Sequence, residues 1–237
     1  MKIHLISYGD DKFASQKAFF KETAVASGFF DEITIYSPQD IDNSFVTRFQ
    51  TILNTKRGGG YWIWKPYFVK KALDALNDGD ILIYCDAGCM VNSRARKRFN
   101  EYVEMLEASK TGSIAFELPH KETEYTKQEI FDFFGSPANA IETNQLMATI
   151  ILFKKCSHAT MLVDKWYSTF CEFPMSFLDD YYPEIQRPEF ISNRYDQSMF
   201  SMIRKIYGSD IIPDETYFLD FIREGQEYPL WATRIRG

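Results

Sequence analysis

The sequence is poor in the residues that build metal cages and disulfide frameworks. Its 237 residues include four cysteines, Cys85, Cys89, Cys156 and Cys171, and three histidines, His4, His120 and His158. No cysteines form a CxxC pair and no histidine has ligand spacing, so Cys85 and Cys89 are not read as half of a zinc site. Reduced thiols and a cytoplasmic location are expected instead. No run of eighteen apolar residues is present, so no stretch reads as a membrane span. The opening MKIHLISYGDD has one lysine and a short apolar run before two aspartates; it reads as a first strand, not a secretory signal. There is no excess of positive charge either. The 27 Lys and Arg against 33 Asp and Glu give a net charge of −6, the reverse of a nucleic-acid binder's footprint. Two local basic clusters stand out, Arg94 to Arg98 and the tail Arg234-Ile235-Arg236. The first reads as a solvated helix face, or else as a weak contact with a charged acceptor or with anionic lipid at the inner face of a membrane.

What is abundant is aromatic and apolar surface. Hydrophobic residues make up 45% of the chain and aromatics 16%, enough for one large core. Short apolar runs alternate with amphipathic segments. Strands are expected over 2–8, 32–36, 80–85, 112–116, 148–153 and 211–212. Helices are expected over 11–27, 42–54, 66–77, 92–109, 126–134, 157–171 and 196–207. Asn92-Ser93 and the Thr126-to-Glu129 capping-box pattern mark two of the helix starts. The Pro-, Asp- and Tyr-rich stretch 172–193 reads as an irregular excursion near the site. Such alternation predicts an α/β fold, a mostly parallel central sheet flanked by helices. The chain reads as a single domain over 1–237, with a nucleotide-binding half over about 1–110 and an acceptor half over about 111–237.

The chain is organised around Gly58 to Met90, GGGYWIWKPYFVKKALDALNDGDILIYCDAGCM. Three glycines permit backbone angles that a Cβ forbids, and Pro66 suits the first turn of a helix. The buried run Asp80 to Cys85 ends on Asp86, followed by Ala87-Gly88. Ligands of open α/β sheets sit beyond the carboxyl ends of the strands, so Asp86 is the first candidate. A carboxylate there suits Mg²⁺ or Mn²⁺ shared with substrate phosphates. Lys65, Arg57 and the glycines make a diphosphate neighbourhood at a helix N-terminus. Read blandly, Asp86 is a turn residue and Lys65 a solvated charge.

These residues have a family likeness. RGGGYWIWKP, GDILIYCDAGC and RYDQSMFS, with ETEYTKQEIFDFFG and TNQLMATIILFKK, resemble bacterial and viral nucleotide-sugar glycosyltransferases of the GT-A type, over roughly Ile33 to Gly208. The resemblance implies a Rossmann-like fold and transfer of a hexose from a nucleoside-diphosphate donor, UDP foremost, to a glycan or lipid-linked acceptor in surface polysaccharide synthesis. It also implies Mn²⁺ or Mg²⁺. Where many such enzymes carry Asp-x-Asp, this chain has Asp86-Ala87-Gly88, so metal coordination is weaker, filled by water, or completed from elsewhere, with Asp196, Glu117 and Asp214 as candidates.

Asp196 and Gln197 are the candidate catalytic pair, as base or sugar ligand and as the group over the anomeric carbon; Asp196 is alternatively a helix cap. Tyr8, Arg57, Trp64, Lys65, Asp86, Ala87 and Gly88 are the donor-site candidates, Tyr8 as a platform for the base. Glu117, Lys127 and Gln145 are candidates for the acceptor or sugar. Trp62 and Trp64 read equally as core plugs and as a sugar platform. Rival readings are a sugar-1-phosphate nucleotidyltransferase and a non-catalytic glycan- or nucleotide-binding protein. The acidic Ser7-Tyr8-Gly9-Asp10-Asp11 counts against the first, and the missing second carboxylate sustains the other. A glycoside hydrolase would need a pair of carboxylates facing across a sugar cleft.

Overall fold

The computed structural model describes residues 1–135, 138–178 and 181–234. Ile235 and Arg236 of the basic tail, and residues 179–180 of the excursion, lie outside them. Strand β1, Ile3–Tyr8, pairs in parallel with β2, Glu32–Tyr36, on one side and with β3, Ile81–Cys85, on the other. Beyond β3 comes β7, Ile150–Lys154, then β5, Ser113–Lys121, which carries β6, Asn144–Leu146, and β8, Asp210–Pro213. A separate ribbon joins β4, Met90–Val91, to β9, Leu230–Trp231.

The α/β class is as expected, but the sheet is mixed rather than mostly parallel. Strand β7 runs antiparallel to both β3 and β5, and β6 runs antiparallel to β5; β8 is parallel to β5. All five residues of β3 are buried. Their alternation sends Leu82 and Tyr84 into one core layer and Ile81, Ile83 and Cys85 into the other, as the two-residue period of a strand requires. The first layer holds Phe68, Leu73, Trp166 and Phe200; the second holds Phe20, Phe99 and Leu106. Fully buried side chains of this size each contribute about 1.5–3 kcal/mol.

Two expected helix starts move. The Arg96–Ala108 helix begins after Ala95; Asn92 stays outside it, its side-chain oxygen accepting from Arg94 N at 3.2 Å and its amide nitrogen donating to the carbonyls of Gln226 and Tyr228. The capping box at Thr126 does not form. The helix there runs Gln128–Phe134, the Thr126 hydroxyl donates to Glu122, and Glu129 accepts from Tyr182 N and Gln186. The basic patch at 94–98 is also partly spent indoors. Arg96 donates to the carbonyls of Ser27 and Gly28, and Arg98 holds Glu215 through two nitrogens at 2.8 Å.

The three glycines form a turn the periodicity did not anticipate. From Gly58 to Trp62 every φ is positive, at 59°, 57°, 98°, 52° and 61°. That is left-handed backbone, which costs a non-glycine residue about 1–2 kcal/mol. A Cβ on Gly60 would meet Leu53 Cα at 2.7 Å, and one on Gly58 would meet the Trp62 ring at 2.4 Å. Tyr61 and Trp62 carry the remaining strain, which delivers the Trp62 ring beside the end of β3.

Candidate active site

Because β1 and β3 are parallel neighbours in register (Ile6 opposite Tyr84), their carboxyl ends present Tyr8 and Asp86 side by side. Strand β7 begins at the same edge, where the Thr149 carbonyl accepts from Asp86 N at 2.9 Å. The left-handed turn and the start of the Trp64–Asp74 helix close over this edge. Two clefts result.

The first cleft, of about 310 Å³, is lined by Tyr8, Asp10, Lys12, Lys56, Gly58, Gly59, Trp62, Trp64, Asp86, Ala87 and Gly88 among others. Its floor is aromatic. Trp64 packs on Tyr8 at 3.9 Å between ring centroids, and its indole N–H donates to the Gly58 carbonyl at 3.0 Å. Only about 5% of Trp64 is exposed, so it is chiefly a core plug with one edge in the cleft. Lys12 and Lys56 are exposed at the rim.

The second cleft, of about 380 Å³, is lined by Arg57, Trp62, Lys65, Asp86, Ala148, Thr149 and the segment Ser192 to Gln197. Trp62 and Asp86 belong to both clefts. Trp62 is half-buried and lies 5.2 Å from the Tyr195 ring, over which the Arg57 guanidinium also sits at 5.1 Å.

At the junction three charges are held together. The buried Lys65 ammonium lies 2.7 Å from Asp196 Oδ2 and 3.1 Å from Asp86 Oδ1, and donates to the Ala148 carbonyl at 3.1 Å. The Tyr84 hydroxyl donates to the same Asp86 oxygen at 2.6 Å. Lys65 is therefore spent on carboxylates rather than left open to a diphosphate. Its own burial opposes the charge, but the two carboxylates prevail and its pKa is raised.

Asp196 is not a helix cap. The helix is Tyr195–Tyr207 with Arg194 at the N-cap position, and Asp196 sits one residue inside it, buried against Lys65. Tyr195 just before it has a positive φ of 48°. Burial pushes the Asp196 carboxyl up to about 6 against the pull of Lys65. Native Asp196 thus keeps its proton where an unfolded chain, at the ordinary 3.8, has lost it. The sign follows from linkage: this stabilisation is complete below the unfolded value and is lost as pH rises through about 6. In denaturant titrations, the stability of the protein relative to an Asp196→Asn variant should fall from about pH 4 to about pH 6 and then level off. A difference independent of pH would contradict the shift.

Of the sequence candidates, the structure brings Tyr8, Arg57, Trp64, Lys65, Asp86, Ala87, Gly88, Asp196 and Gln197 to these two adjoining clefts. It does not bring Glu117, Lys127 or Gln145. Glu117 and Asp214 line a separate cleft of about 620 Å³. Lys127 is buried and donates to the Met175 carbonyl at 2.9 Å. Gln145 is wholly buried and accepts from Gln197 Nε2 at 2.7 Å. Tyr84, Lys12, Lys56 and Arg194 escaped the sequence reading. Tyr84 alone had a signal, since it shares a strand face with the residue two positions on.

Among the described residues, no group of three or more His, Cys, Asp or Glu side chains is gathered as a metal cage. Glu117 and Asp214 line a separate cleft, and Asp196 is engaged by Lys65. What fits Asp86 is a cation shared with a ligand. Its Oδ1 is taken by Tyr84 and Lys65, Oδ2 is left for a metal, and one carboxylate with substrate phosphates can suffice for Mg²⁺.

No family model and no curated protein matches the chain. Solved structures do share its fold. A glycosyltransferase involved in glycosylation of the major capsid of PBCV-1 aligns over 98% of this chain and 93% of its own, with a TM-score of 0.57 and 8% identity. The galactosyltransferase LgtC, solved with donor and acceptor sugar analogues, aligns over 96% and 86%, with a TM-score of 0.52 and 12% identity. Mouse xyloside xylosyltransferase 1 aligns over 98% and 97%, with a TM-score of 0.50 and 10% identity. The fold is that of the GT-A glycosyltransferases.

Proposed function

We propose that this chain is a glycosyltransferase that moves a hexose from a nucleoside-diphosphate sugar, with uridine the expected base, to a glycan or lipid-linked acceptor in surface polysaccharide synthesis. One observation carries the reading: an aromatic-floored cleft with lysines at its rim and a polar cleft holding Asp196 and Gln197 meet at Asp86 and Trp62. A nucleotide suits the first, with its base against Tyr8 and its phosphates towards Lys12, Lys56 and Asp86. The hexose then falls at the junction beside Trp62, and the acceptor hydroxyl enters from the side of Arg57 and Arg194.

Asp196, once deprotonated, accepts a hydrogen bond from a sugar or acceptor hydroxyl, and Lys65 holds both carboxylates in place. A Mn²⁺ or Mg²⁺ ion, when bound, would be held by Asp86 with the phosphates and would neutralise the leaving diphosphate. Among the described residues no helix is long and apolar enough to cross a membrane, so a lipid-linked acceptor would be met at a surface.

The test is nucleotide release from UDP-, GDP- and CDP-hexoses, supplied with Mn²⁺ and a pool of oligosaccharide acceptors. Acceptor-stimulated release from one nucleotide class is expected. Release from none of them, by protein shown to be folded, would overturn the assignment.

A further inference from the structure

A second polar assembly lies behind the polar cleft, and the Gln197 side chain, which lines that cleft, reaches into it. Glu122, with no exposure, follows directly on β5 and accepts from the Thr126 and Ser201 hydroxyls and from Lys205 Nζ at 2.9 Å. Gln145 on β6, also with no exposure, places its amide nitrogen among four oxygens. These are Glu122 Oε2 at 3.2 Å, the Tyr125 carbonyl at 3.1 Å, Thr126 Oγ1 at 3.0 Å and Ser198 Oγ at 3.2 Å.

Every one of those oxygens is an acceptor here. A carboxylate and a backbone carbonyl have no proton to give. The Thr126 hydroxyl has committed its hydrogen to Glu122, and the Ser198 hydroxyl has committed its hydrogen to the Tyr125 carbonyl. The Gln145 amide is therefore fixed by chemistry with nitrogen inward and oxygen outward. That oxygen receives the Gln197 amide nitrogen at 2.7 Å, which forces the second amide into one orientation as well. The Gln197 oxygen is left as the atom offered to the cleft shared with Lys65, Asp86 and Asp196.

We propose that Glu122 and Gln145 are positioning residues that fix the sign of the Gln197 dipole facing the transferring sugar. The functional half of this rests on the glycosyl-transfer reading above; the orientation half does not. Sugar transfer builds positive charge at the anomeric carbon. A carbonyl oxygen aimed there stabilises that charge, whereas an N–H aimed there opposes it. A glutamine free to turn over would offer both. The buried carboxylate removes the choice, two hydrogen bonds away from the cleft.

The test has an arm that needs no substrate. With ¹⁵N-glutamine labelling, the Gln197 side-chain amide signal, identified by its disappearance in Gln197→Glu, should exchange with solvent far more slowly than that of exposed Gln50. In Gln145→Met the protection should vanish. Fast exchange in the unmodified protein overturns the proposal without any variant having to fold. In the arm that uses the donor found by nucleotide release, Gln145→Met should lower kcat on the order of 10²-fold, the scale of a small misplacement, with donor KM little changed. Gln145→Glu keeps an oxygen towards Gln197 and, when protonated, a donor towards Glu122, and should recover part of the loss. Unchanged kcat despite lost protection would overturn the functional half. Absence of turnover in the unmodified protein would count against the transferase reading and leave the exchange result to decide the orientation.

Discussion

Replacement of Lys65 by methionine is expected to cost the native state about 3–5 kcal/mol, the penalty for leaving a buried charge without its partner. The ammonium stands between Asp196 and Asp86, at 2.7 and 3.1 Å, and both carboxylates lose it together. The Tyr84 hydroxyl still serves Asp86, whereas Asp196 is buried and, among the described residues, Lys65 is the cation paired with it. The loss should appear in chemical denaturation as a lower midpoint with an unchanged slope. The double variant Lys65→Met with Asp196→Asn should recover a large part of it, because the worse-placed charge has been removed. Additive losses in that cycle would show that Lys65 and Asp196 are not coupled, and the charge arrangement at the junction would have to be abandoned.

Asp196→Asn alone should leave the fold intact and lower turnover by roughly 10²- to 10⁴-fold, the usual contribution of a carboxylate acting on a hydroxyl proton. Nucleotide affinity should survive, because Asp196 lines the polar cleft and not the aromatic one. In the unmodified protein, on the transferase reading, kcat should climb with pH through about 6, where the buried carboxyl gives up its proton. Full turnover in the asparagine variant would remove Asp196 from the chemistry.

Much of this site was legible before any coordinates. The run Ile81 to Cys85 announces a strand buried on both faces, and the carboxylate at its end falls where open sheets bind ligands. The helix after Pro66, and that after Tyr195, followed from their apolar periods. Strand direction was not legible: the residues of β7 would serve equally well parallel or antiparallel, and only pairing with β3 and β5 decides. Strands of two or three residues, such as β4, β6 and β9, are too short to show a period.

Lys127 and Gln145 were read from local pattern, and distant segments decide where they sit: Lys127 meets the Met175 carbonyl, and Gln145 meets Ser198 and Gln197. Gln145 looked like a ligand-binding amide at a strand end; Glu122 and Ser198 claim it for the interior. Lys65 was read as facing phosphates, but its neighbours in space are two carboxylates brought from β3 and from the Tyr195–Tyr207 helix. The glycines signalled unusual backbone, yet nothing in Tyr61 or Trp62 announces that they share the left-handed angles.

The most direct test of two clefts meeting at Asp86 is calorimetric titration with UDP, GDP and CDP, each with and without Mn²⁺, on the unmodified protein and on Asp86→Asn. The account predicts binding of one nucleotide with a Kd on the order of micromolar, strengthened by Mn²⁺ and lost in the variant. Binding of none of the three, or equal binding by Asp86→Asn with Mn²⁺ present, would contradict it.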